Sequence, residues 1–190
     1  MKKLSISIFV VAASGFVSLN ALAFGKFLNQ FSEHYDANNI STQNLSDSQS
    51  CGICHVRAGG GGKRTPYGED FRDTALGDGK GFPGIEFIDS DQDGFLNLEE
   101  IHLQTSPGHA DSKPAGRIEL SLKADSTLVL TPAGNCSQMD LIAFGFQFSD
   151  KTNVAKLANV SGSASLKVEG NSGAILAKCD GEQLSGSILK

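Results

Sequence analysis

The chain contains no tryptophan, only two tyrosines, two methionines and four histidines among its 190 residues. Its basic residues form no run, and the formal net charge is −5. An acidic, aromatic-poor chain without a basic patch lacks the electrostatic footprint of nucleic-acid binding, so that class is set aside. Long apolar runs are also missing after residue 23, and none approaches the roughly 20 residues of a membrane span. The segment from Arg117 onward has no histidine, hence no base for a nucleophile, and no catalytic residue is assigned. The one apolar run present, Ile6 to Leu22, follows Lys2 and Lys3 and ends in Ala21-Leu22-Ala23. That order reads as a signal peptide over 1–23 with the mature chain starting at Phe24. No cysteine heads the mature chain, which argues against a lipid anchor. The expected location is periplasmic or secreted.

Cysteine is sparse, with four residues, and two of them lie in Cys51-Gly52-Ile53-Cys54-His55. Two thiols three apart followed by histidine form the attachment signature of a c-type haem: the sulfurs add to the two porphyrin vinyl groups and the imidazole ligates iron. Other uses of the same residues compete. A zinc half-site lacks a second paired set of ligands, a redox-active pair lacks a preceding βαβ pattern, and a plain local disulfide remains open. The other two thiols, Cys136 and Cys179, are expected to pair in an oxidising compartment. Four glycines, Gly59–Gly62, flanked by Arg57, Lys63 and Arg64, follow His55 and rule out regular structure there. They either let backbone pass close to a flat porphyrin, with the cations meeting propionates, or form a surface loop.

A second motif spans Asp89 to Glu100 and satisfies D-x-D-x-D-G-x₅-E in every slot. Asp89, Asp91 and Asp93 wrap a hard cation, Gly94 takes the sharp turn, Phe95 offers its carbonyl, Asn97 acts through water, and Glu100 closes the site with both oxygens. Calcium is the expected ion, and a solvated acidic turn is the alternative. Gly81, Pro83 and Gly84 leave little room for an entering helix, whereas an exiting helix is predicted from Leu98 to about Thr105. A single unpaired loop points to structural calcium with weak affinity, about 10⁻⁴ to 10⁻³ M.

Three parts are expected: the signal peptide, a helical and irregular haem and calcium-loop domain over 24–112, and a β domain over 113–190. Phe27, Phe31, His34 and Tyr35 share one face of a helix beginning at Phe24 and running to about Gln43. A short helix starts near Pro66, with Phe71 and Ala75 inward. From Arg117 the apolar period becomes two: Ile118/Leu120/Leu122, Leu128/Leu130, Ile142 through Phe148, Ala164/Leu166/Val168, Ile175/Ala177/Cys179, then Leu184 with Ile188. This predicts an α+β chain whose C-terminal part is an antiparallel β-sandwich of about six or seven strands.

The exported Cys51-x-x-Cys54-His55, the glycine-rich stretch and Tyr67-Gly68-x-x-Phe71 together resemble small bacterial c-type cytochrome domains. This covers about Phe27 to Ala75 and implies haem c attached at Cys51 and Cys54 with His55 on the iron. Asp89 to Glu100 resembles EF-hand and dockerin-type calcium loops. The combination implies electron transfer or redox sensing with a redox partner protein rather than substrate turnover, although a peroxidase-like site stays an alternative. His102, on the helix leaving the calcium loop, is expected as the second axial ligand, which would let calcium set haem coordination. The rival reading is a non-haem calcium-binding surface module with a Cys51–Cys54 disulfide.

Overall fold

A computed structural model describes residues 21–35, 51–57, 59–76 and 81–189. Most of the expected signal segment, and the end of the first helix predicted to reach Gln43, lie outside the described residues. Helix α1, Ala21–His34, buries Phe31, with Tyr35 also buried just beyond the helix end, as the i, i+4 pattern requires. The turn Cys51–Ile53 is followed by α2, Pro66–Phe71, which starts with Thr65 as N-cap and Pro at the first helical position. A π turn over Arg72–Leu76 extends α2. Only a single 3₁₀ turn, Phe82–Gly84, precedes the acidic loop, and α3, Asn97–His102, leaves it. No helix among the described residues is long and apolar enough to cross a membrane.

Eight strands follow: β1 Gly116–Leu122, β2 Thr127–Pro132, β3 Cys136–Phe144, β4 Gln147–Phe148, β5 Val154–Val160, β6 Ala164–Glu169, β7 Gly173–Cys179 and β8 Glu182–Ile188. They form one sheet in the order β4-β6-β2-β1-β8-β7-β3-β5. The edge strands β4 and β5 are consecutive in the chain and joined by a tight turn in which the Phe148 amide donates to the Thr152 carbonyl at 2.8 Å. The sheet is therefore nearly closed and barrel-like, not the sandwich expected. Nor is it wholly antiparallel, because β1 pairs with β8 in parallel, Gly116 with Leu184 and Arg117 with Ser185. Its core includes Leu128, Leu130, Met139, Leu141, Phe146 and Ile175.

The run Ile142 to Phe148 was expected as one strand and is two. Gly145 has φ of +75°, a value glycine adopts freely, and it resets the side-chain parity. Met139, Leu141 and Ala143 point inward while Ile142 is exposed. Phe144, on the outer face of β3, packs against a second core made of Phe31, Tyr35, Tyr67, Phe71, Phe82, Leu98, Ile101 and Ala174 of β7. Thus β7 is buried on both faces from Gly173 to Ala177, with the helical segment covering its outer side. The disulfide Cys136–Cys179 ties β3 to β7 with the Cα atoms 5.4 Å apart, which is consistent with an oxidising, extracytoplasmic location. Replacing both cysteines with serine is expected to lower unfolding free energy by about 2–4 kcal/mol. An unchanged urea midpoint would contradict this.

Candidate functional site

The Cys51–Ile53 turn closes when the Cys51 carbonyl accepts from both the Cys54 and His55 amides, at 3.2 and 2.8 Å. This holds the three residues of the motif in one tight turn. A cavity of about 320 Å³ is lined by Cys51, Cys54 and His55, at the lower end of the range for ligand sites, roughly 300–1,000 Å³. Its walls are phenylalanines. Phe27 meets Phe71 edge-on at 5.5 Å, Phe71 stacks on Phe82 at 4.4 Å, and Phe31 meets Phe82 edge-on at 5.4 Å. Arg64 and Arg72 also line it and sit partly exposed. Arg72 is ion-paired to Glu69 at 2.5 Å and to Asp73 at 2.7 Å, while Arg64 lies 3.8 Å from Glu69.

The backbone beneath the motif is held tightly. The Thr65 amide donates to the Cys54 carbonyl at 3.1 Å, and the Thr65 hydroxyl donates to the Ile53 carbonyl at 2.5 Å. Helix α2 lies so close that a Cβ on Gly68 would fall 2.0 Å from the Cys54 carbonyl oxygen. The glycine run is a closed excursion: the Val56 amide donates to the Lys63 carbonyl at 3.0 Å, His55 bridges to Arg64, and Gly60, Gly61 and Gly62 all have φ between 71° and 80°.

Burial pushes the Cys54 thiol up to about 12, with the neighbouring Cys51 adding to the rise. Both thiols are free. A raised thiol is the opposite of what a redox-active Cys-x-x-Cys requires, since such pairs work through a stabilised thiolate. Burial, followed by the charge of Arg64, lowers the His55 imidazole below its usual range, which favours the neutral form. Its Nδ1 is buried without a hydrogen-bond partner.

In the acidic loop, carboxylate oxygens of Asp89, Asp91 and Asp93 all lie within 4.8 Å of one another, and this triad could hold a metal ion such as Ca²⁺. Hydrogen bonds within the loop aim them. The Gly94 amide donates to Asp89 at 2.9 Å, the Asp93 amide to Asp91 at 3.3 Å, and the Phe95 amide to Asp93 at 2.9 Å. Gly94 takes φ of +97°, as the sharp turn needs. Glu100, on α3, is fully buried with neither carboxylate oxygen hydrogen-bonded. Burial and then the charges of Asp91, Asp93 and Asp89 push it up to about 10. A buried carboxylate facing three others, with unpartnered oxygens on all four residues, is an arrangement that a cation stabilises.

Two expected residues are used otherwise. The Asn97 amide donates to the Ile85 carbonyl at 2.7 Å and to the Ser90 hydroxyl at 2.9 Å, while its oxygen accepts from the Ser90 amide at 3.4 Å. Its side chain is thus occupied in closing the loop. His102 does not line the cavity: its ring packs on Phe144 of β3 at 4.5 Å and near Tyr35 at 6.2 Å. Unforeseen links join the loop to its surroundings. The Ser90 hydroxyl donates to Asp70 of α2 at 2.6 Å, next to cavity-lining Phe71, and the Arg117 guanidinium from β1 sits 4.3 Å over the Phe95 ring. The phenylalanine walls were also missed as a site. Phe27 and Phe31 carried only a helical-face signal, which is the same for a core and for a ligand cavity. No family model, curated protein or solved structure matches the chain.

Proposed function

We propose that this protein is an exported monohaem c-type cytochrome with a structural calcium site, acting in electron transfer or redox sensing with a redox partner protein in the periplasm or outside the cell. One observation carries the reading: Cys51, Cys54 and His55 of Cys-x-x-Cys-His all line one cavity, whose walls are mainly phenylalanine. The residues fit the group. Each free thiol can add its S–H across one vinyl C=C, with no net oxidation or reduction, leaving two thioethers at Cys51 and Cys54. The His55 imidazole is shifted toward its neutral, metal-binding form, and its buried Nδ1 has no hydrogen-bond partner, which leaves that nitrogen free to ligate a metal. Arg64 and Arg72 at the cavity supply cations for propionates. The apolar walls exclude water, which tunes potential. The bound group would supply a one-electron iron centre.

Asp89, Asp91, Asp93 and Glu100 would hold the calcium ion, which would offset their buried charge and brace α3 and the loop. Ser90 and Asp70 carry that order to α2 and the cavity wall.

The test is export of the wild type and of a Cys51→Ser/Cys54→Ser double variant from a host that matures c-type cytochromes. The wild type is expected to show a Soret band that survives denaturation and the double variant to be colourless. A colourless wild type would reject the haem reading and favour the calcium module with a Cys51–Cys54 disulfide.

A further inference from the structure

Among the described residues, the cavity lining holds no histidine, methionine, tyrosine or lysine besides His55. His34 places Nε2 2.7 Å from Glu86 and lays its ring on Phe82. His102 is packed against Phe144. His109 is exposed in the turn where its amide donates to the Ser106 carbonyl. Met139 is fully buried inside the barrel. In the cavity lining, the side chains other than the motif are Phe27, Leu28, Phe31, Ile53, Phe71 and Phe82, with two arginines that cannot give up a proton. Arg72 is paired with Glu69 and Asp73, and Arg64 lies 3.8 Å from Glu69.

From these placements, and resting on the haem reading above, we infer that His55 is the sole protein ligand to the iron, and that the aromatic cavity leaves the opposite position open to an uncharged diatomic gas such as carbon monoxide or nitric oxide. The chemistry of the walls selects that class. Haem pockets that bind and activate dioxygen or peroxide present hydrogen-bond donors or an acid/base group, because charge develops on the bound oxygen. Phenylalanine rings offer neither, the lining's donors are the guanidiniums of Arg64 and Arg72, of which Arg72 is held by Glu69 and Asp73, and a small neutral molecule enters an apolar cavity without losing hydrogen bonds. The protein would then report a gas by a change of iron coordination as well as by electron transfer.

The experiment is an absorption spectrum of the reduced holoprotein, followed by titration with carbon monoxide. A high-spin, five-coordinate spectrum that converts completely on adding carbon monoxide is expected, with His34→Ala and His102→Ala each giving the same spectrum and titration. A low-spin spectrum that carbon monoxide leaves unchanged would overturn the inference while keeping the cytochrome reading. The source of that ligand would follow from loss of the low-spin band in His34→Ala, His102→Ala or Lys80→Ala, Lys80 lying outside the described residues. Protein without covalent haem would overturn both readings, so the two failures are distinct.

Discussion

Glu100→Gln is expected to weaken calcium binding at least about 100-fold, because loss of a residue that merely supports a metal ligand already costs 10–100-fold. The carboxylate faces Asp89, Asp91 and Asp93 from a fully buried position, with both oxygens unpartnered. An amide offers one neutral oxygen where the ion takes two charged ones. The sign of the stability change should depend on calcium. With calcium present the variant is the less stable protein; in chelator it is at least as stable as the wild type, since the amide removes a carboxylate crowded by like charge. The pH dependence follows from the same geometry. Without calcium, Glu100 in the folded protein holds its proton to about pH 10 against an ordinary value of 4.5, so the fold binds more protons than the unfolded chain. Its contribution is complete below 4.5 and is lost as pH rises toward 10. Asp91 and Glu99 are raised as well, mainly by burial, and act in the same direction. Thermal unfolding in chelator should therefore show stability falling with pH over this window, less steeply in Glu100→Gln. Calcium titration by calorimetry that finds the variant within threefold of wild type would contradict the assigned ligand.

Gly68→Ala should damage the cavity beside Cys51, Cys54 and His55 more than alanine at any other described glycine. The new Cβ would lie 2.0 Å from the Cys54 carbonyl oxygen and 2.8 Å from its carbon, and backbone cannot swing aside as a side chain can. Overpacking typically costs 1–3 kcal/mol, and a backbone clash belongs at the upper end, about 3 kcal/mol. Relief requires α2 to move off the Cys51–His55 turn, taking Phe71 out of the wall and loosening the Thr65 to Ile53 hydrogen bond. Urea unfolding should show the loss of stability, and the exported variant should carry less covalent haem than wild type. Stability and haem content equal to wild type would mean that α2 is not seated against Cys54.

The two clusters of residues were legible in the sequence because each is local in the chain. Cys-x-x-Cys-His and the alternating carboxylates of Asp89 to Asp93 each fold from bonds spanning a few residues, so spacing alone brings the groups together. What depended on distant chain was misread. Period-two alternation separates the inside of a sheet from its outside, but it does not reveal that β1 pairs in parallel with β8, and that pairing brings the first and last strands together in the nearly closed sheet. Strand β5 was not foreseen because, at an edge, it leaves Val154, Lys156 and Ala158 exposed and shows little apolar rhythm. Gly145 hid a change of parity inside a run of phenylalanines. Asn97 matched its slot in the calcium loop, yet Ser90 and Ile85 engage its amide. His102 shares a helix with Glu100, but its ring packs on Phe144 and it does not line the cavity. A ligand-lining phenylalanine and a core phenylalanine have the same sequence signature, so the cavity needed the fold to be seen.

The most direct measurement is the intact mass, under denaturing conditions, of the protein exported from a host competent for cytochrome c maturation. A single haem is expected to be retained covalently and to map to the peptide holding Cys51 and Cys54. A haem-free mass, with those two thiols either free or joined to each other, would contradict it.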